Sequence, residues 1–225
     1  MIATVALGAG LAAVAAPGAA VAAPSTDYVA LGDSYSSGTG TNAYDLSTTC
    51  QRSSRSYPAL SAAQQGTATF TFAACGGATT ASVRSTELGG LSPATDLVTI
   101  TIGGNDADFA GTVIACRLGT DTACFTKLDS AAAFIRNTLP ARLDGTYRDI
   151  RARAPNARLV VLGYPHLYRT GTCLFEIGNT RRTRITAVAD VLAGVIAQRV
   201  AAAGGTFLDA RGPSPGTRSA ATHRG

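Results

Sequence analysis

The sequence has no tryptophan, and all but one of its basic side chains are arginines, Lys127 being the single lysine. The arginines are scattered along the chain without forming a block, so the formal net charge of +5 carries no nucleic-acid footprint. Aromatic residues make up only 6% of the chain against 46% hydrophobic residues overall, which predicts an aliphatic core. No Gly-x-Gly-x-x-Gly follows the first apolar run, and that argues against the usual phosphate-cradling nucleotide domain. Internal repeats are absent, and 225 residues with no break in composition predict one domain with a single core.

No lysine or arginine precedes Arg52, and residues 1–23 are small and apolar, ending in Ala20-Val21-Ala22-Ala23-Pro24. This reads as a signal peptide with an A-x-A-like site, an uncleaved membrane anchor being the competing reading. Either way the domain, 24–209, is expected outside the cell. Export makes the cysteines informative, because thiols in an oxidising compartment pair. Cys116 and Cys124 would close a short loop, and Cys50 with Cys75 would tie the loop after the first strand to the end of the second; Cys173 is left over.

The chain alternates strand and helix. Apolar or β-branched runs at Tyr28–Gly32, Thr69–Ala74, Asp96–Ile102, Arg158–Gly163 and Thr206–Asp209 read as five strands. Helices are expected at Tyr57–Gln65, Thr79–Leu88, Asp129–Arg153 and Thr180–Ala203. Strands separated by helices of this length predict a parallel sheet with helices on both faces, an α/β/α sandwich in three layers.

Three of these strands end abruptly at small polar residues, and ligands on open α/β sheets bind outside the carboxyl ends of strands. Ser34 follows the first strand, where a hydroxyl can act as a nucleophile; a plain helix cap is the structural alternative. The Gly77 N–H in the turn after the second strand and the Asn105 amide after the third are donors for the oxyanion that such an attack creates, as is the Ser34 N–H itself.

Gly32-Asp33-Ser34-Tyr35-Ser36-Ser37-Gly38, Phe72-Ala73-Ala74-Cys75-Gly76-Gly77-Ala78 and Ile100-Thr101-Ile102-Gly103-Gly104-Asn105-Asp106, in that order, resemble the blocks of the SGNH hydrolases, the GDSL-type esterases and lipases, in their secreted actinobacterial branch. Leu162-Gly163-Tyr164-Pro165-His166-Leu167-Tyr168 also looks like that branch, which usually has serine where Gly76 stands. The resemblance implies a flavodoxin-like fold and hydrolysis of small-molecule or lipid carboxylic esters through an acyl-enzyme. It implies neither metal nor organic cofactor. Ser34 is then the nucleophile, and Gly77 and Asn105 serve the oxyanion hole. A monomer is expected.

The family's last block, a histidine before a closing helix, has no counterpart in the sequence as given. The two histidines are His166, read as structural, and His223, in a tail (210–225) with no apolar side chain larger than alanine. Asp33 is read as orienting the turn, not as the base. Back-translated and shifted by one base, the tail can spell a Phe-x-Gly-His-x-x-Cys segment of the branch, whose cysteine would partner Cys173. The expectation is therefore a frameshifted or truncated member with impaired activity, the alternative being a non-catalytic lipid- or glycan-binding protein.

Overall fold

The computed structural model describes residues 26–168 and 177–212. The segment 1–23, Cys173, His223 and the tail from residue 213 onward lie outside the described residues. Five strands form one sheet: β1 (Asp27–Gly32), β2 (Thr69–Phe72), β3 (Leu97–Thr101), β4 (Arg158–Leu162) and β5 (Thr206–Leu208), in the order β2-β1-β3-β4-β5 with every pair parallel. This is the flavodoxin order. The register aligns Gly32 with Thr101, so the turns that follow β1 and β3 begin side by side.

Strand alternation divides the core between two faces. Val29 and Leu31 of β1, Val98 and Ile100 of β3 and Leu159 and Val161 of β4 join the large cluster. That cluster is filled from α5 (Asp121–Asn137), α6 (Leu139–Arg153) and α7 (Asn179–Ala202). Tyr28 and Ala30 turn the other way, with Leu97 and Ala62 of α2 (Tyr57–Gln65), and Phe70 and Phe72 pack alongside. β1 is buried along Tyr28–Leu31, as expected of a strand covered on both sides.

Helix α2 spans the expected residues because both ends are specified: Ser56 caps it by accepting from the Ala59 N–H, and Gly66 closes it in the left-handed region at φ 59°. Two helical expectations need correction. The single helix expected over Asp129–Arg153 is two, α5 and α6. Pro140 has no N–H to give the Arg136 carbonyl, so the chain restarts after Thr138 with the proline in the first turn of α6. The helix expected over Thr79–Leu88 is only three residues of α-helix, α3 (Thr80–Ser82), followed by a π-helical turn at Val83–Glu87 and a 3₁₀ turn at Leu88–Gly90. The segment between β3 and α5, where Cys116 and Cys124 were expected to close a loop, holds a further helix, α4 (Phe109–Leu118).

Both expected disulfides form. Cys116–Cys124 pins α4 to α5, and Cys50–Cys75 ties the loop after β1 to the turn after β2. The second cross-link closes a loop with a sequence separation of 25, which constrains the unfolded chain. Replacing Cys50 and Cys75 together by serine is expected to cost about 2–4 kcal/mol, read as a lower midpoint in denaturant unfolding.

Candidate active site

Sequence places Ser34 at the start of a single helical turn, α1 (Ser34–Ser37). The Asp33 carboxylate caps it by accepting from the Tyr35 N–H at 3.0 Å, and Gly38 ends it at φ 98°. Because Ser34 is the first residue of the turn, its own N–H has no helical acceptor. Among the described residues nothing hydrogen-bonds the Ser34 hydroxyl or its N–H.

Beside it, Cys75-Gly76-Gly77-Ala78 closes on itself through the Ala78 N–H donating to the Cys75 carbonyl at 3.0 Å, with Gly77 at φ 83°. A positive φ at the third position is the signature of a type II turn and requires glycine there. The Gly77 N–H likewise finds no partner among the described residues. The third turn supplies Asn105, whose Nδ2 donates one hydrogen to the Ala78 carbonyl at 2.9 Å and keeps a second.

Short bonds stitch the three turns together. Asp33 N–H donates to the Thr101 carbonyl at 2.9 Å, Cys75 N–H to the Gly32 carbonyl at 2.8 Å, and Thr101 N–H to the Ser36 hydroxyl at 3.0 Å. Asp106, its side chain fully buried, accepts from the Thr80 N–H at 2.9 Å and the Thr80 hydroxyl at 2.6 Å, and meets Arg142 at 3.2 Å. It thereby locks the Asn105 turn to the start of α3. Ser34 and Asn105 thus follow β1 and β3, the two strands at which the chain reverses its direction of sheet growth, and Gly77 sits on the neighbouring turn. That reversal is where open α/β sheets hold ligands.

Tyr164, 131 residues from Asp33 in sequence, is the least legible member. Its hydroxyl donates to Asp33 Oδ2 and accepts from the Gly104 N–H at 2.9 Å, while its ring meets Tyr35 edge-on at 5.1 Å. With one oxygen held by Tyr35 N–H and the other by the Tyr164 hydroxyl, and only 1% exposed, Asp33 orients the turn. His166 faces elsewhere: its Nε2 meets Asp190 at 2.9 Å in a cluster with Arg211, which also pairs with Asp209. Among the described residues no hydrogen bond joins it to Ser34.

Beneath the site lies a second buried carboxyl that the sequence did not reveal. Glu87, delivered by the π-helical turn, accepts from the Gly32 N–H at 2.7 Å, while its other oxygen has no partner among the described residues. Burial pushes the Glu87 carboxyl up to about 8 against the pull of the Gly32 N–H, and burial pushes Asp33 up to about 7 against its two hydrogen bonds. The folded state therefore holds these protons more tightly than the unfolded chain, and stability falls as pH rises from about 5 to 8. Glu87→Gln keeps an acceptor for Gly32 and removes one titration. It is expected to flatten that fall by on the order of 2 kcal/mol, measured by denaturant unfolding across the pH range.

A parallel sheet in flavodoxin order, with a serine and two donor turns at its point of reversal, is the architecture of the SGNH hydrolases. The chain belongs to the GDSL-like Lipase/Acylhydrolase family, whose match covers residues 30–224. It is 47% identical over 207 residues to Lipase 1 of Streptomyces coelicolor, covering 92% of this chain and 77% of that protein. It is 49% identical over 196 residues to a lipase of Streptomyces rimosus, covering 85% and 73% respectively. Among solved structures, it is similar to the extracellular lipase of Streptomyces rimosus (TM-score 0.80, 49% identity, 82% of this chain and 80% of that one). A phospholipase A1 of Streptomyces albidoflavus matches as well (TM-score 0.80, 46% identity, 81% and 78%). The chain is a serine-dependent carboxylic ester hydrolase of this family.

Proposed function

We propose that Ser34 is the nucleophile of an exported acyl-ester hydrolase. Its Oγ attacks the ester carbonyl carbon, and the oxyanion that forms accepts hydrogen bonds from the Ser34 N–H, the Gly77 N–H and the free hydrogen of the Asn105 amide. Collapse expels the alcohol and leaves an acyl group on Ser34, which water then removes. The observation that carries this reading is the set of donors left unused: among the described residues the Ser34 and Gly77 N–H groups have no acceptor, in turns that are hydrogen-bonded to one another. Ser34 is half-buried and Gly77 exposed, so both N–H groups are open to an incoming oxyanion that would accept from them.

Neither Asp33 nor His166 hydrogen-bonds the Ser34 hydroxyl, so the Ser34 proton passes to another base, which returns it to the departing alcohol. Lipid esters are the substrate class, on the support of relatives that act as lipases and a structural neighbour that is a phospholipase A1. Export is supported by the apolar leader read in residues 1–23, by two disulfides, and by the extracellular lipase of Streptomyces rimosus.

Asn105→Ala tests the oxyanion hole. Removing one such donor lowers kcat by about 10²–10³-fold with little change in KM, because the interaction forms only as the oxyanion develops. Unchanged kcat on a p-nitrophenyl acyl ester would remove Asn105 from the site.

A further inference from the structure

Two of the three donor turns, already joined through Thr101, are also bridged by one phenol that makes no hydrogen bond to Ser34. Tyr164 extends from the segment after β4. Its hydroxyl accepts the Gly104 N–H at 2.9 Å, one residue before Asn105, and donates to Asp33, one residue before Ser34. Gly104 leaves room for this approach: a Cβ there would stand 3.1 Å from the phenol carbon bearing the hydroxyl and 3.2 Å from the hydroxyl itself. The contact with Tyr35 and the two hydrogen bonds fix the ring on three sides.

We infer that Tyr164 is a positioning residue for the ester hydrolysis, setting the separation between the Ser34 N–H and the Asn105 amide by bridging Asp33 to Gly104. This deepens the reading of Ser34 and Asn105 as nucleophile and oxyanion donor and rests on it. Both ends of the bridge lie in backbone turns, so the phenol acts as a spacer between the β1 and β3 strand ends. Phenylalanine retains the ring and loses the bridge. A misplacement of about 1 Å in such a site costs on the order of 100-fold in rate, while substrate binding through the acyl and alcohol portions is untouched.

The test is steady-state hydrolysis of a p-nitrophenyl acyl ester by the full chain and by Tyr164→Phe, Asn105→Ala and the double variant, with Ser34→Ala in parallel. The expected result is a 10- to 100-fold loss of kcat in Tyr164→Phe with KM held within about threefold. In the Asn105→Ala background that loss shrinks to about threefold or less, since the donor being positioned is already gone. A change confined to KM, or the same loss of kcat in both backgrounds, would overturn the inference and leave Tyr164 a support of the fold. Retention of activity by Ser34→Ala would instead overturn the underlying reading, so the two failures are separable. Should Tyr164→Phe not fold, Gly104→Ala, which presses a methyl on the phenol and keeps its hydroxyl, carries the test. A three- to tenfold loss of kcat at constant KM is expected, and full activity would contradict the inference.

Discussion

Ser34→Ala lowers kcat for a p-nitrophenyl acyl ester by at least about 10³-fold while leaving the unfolding transition within about 0.5 kcal/mol of the parent. The two halves of this expectation come from the same geometry. The Ser34 hydroxyl makes no hydrogen bond to any described residue and the side chain is half-buried, so its removal leaves no partner unsatisfied and no cavity in the core. The turn itself is held by Asp33, Gly38 and Ser36, none of which needs the Ser34 side chain. The chemistry has no second route to an acyl-enzyme once the nucleophile is gone: in well-studied serine hydrolases, loss of a member of the catalytic set costs up to about a millionfold, with about 10³–10⁴ over water surviving from the oxyanion hole and binding. Ligand binding with turnover at the uncatalysed rate in parent and variant alike would return the chain to the non-catalytic binding reading.

Gly32→Ala is expected to cost roughly 2–5 kcal/mol, seen as a fall of about 5–20 °C in Tm. Gly32 sits at φ 115°, where an L side chain adds on the order of 1–2 kcal/mol of strain. Its Cβ would meet the Thr101 carbonyl oxygen at 2.4 Å and the Thr101 nitrogen at 2.9 Å. Those are backbone atoms of the paired strand, which cannot rotate away, so the overpacking adds roughly 1–3 kcal/mol. Relief requires β1 and β3 to separate at the point where the Ser34 and Asn105 turns begin, so activity falls together with stability. A Tm within about 2 °C of the parent would show that this approach is looser than its geometry implies.

What could be read from the sequence is what depends on local pattern. β-Branched and apolar runs ending in Gly-Asp-Ser and Gly-Gly-Asn-Asp gave the strands, their parallel arrangement and the polar residues at their carboxyl ends, since each such turn must be built from residues adjacent in sequence. An apolar leader, with the places of the cysteines along the chain, gave both disulfides. The interior of the helices was less legible. Pro140 does not stand out as a break because the residues around it keep helical periodicity. The π-helical turn that delivers Glu87 has no sequence signature.

The bridge from Tyr164 to Asp33 spans 131 residues and depends on the strand order β1-β3-β4, which pattern alone does not specify. The same holds for Asp106, present in the recognised motif but given its task only by Thr80 of α3. Donor sets assembled within one turn are visible in a sequence, whereas the hydrogen bonds that fix one turn against another appear only once the sheet is folded.

The most direct measurement of the central claim is covalent trapping. The full chain is treated with a fluorophosphonate ester, whose phosphorus takes the place of the ester carbonyl carbon, and the modified residue is located by peptide mass mapping. One adduct is predicted, on Ser34, absent from Ser34→Ala and forming more slowly in Asn105→Ala as the oxyanion loses a donor. No adduct, or an adduct on any other residue, would contradict the assignment of Ser34 as the nucleophile.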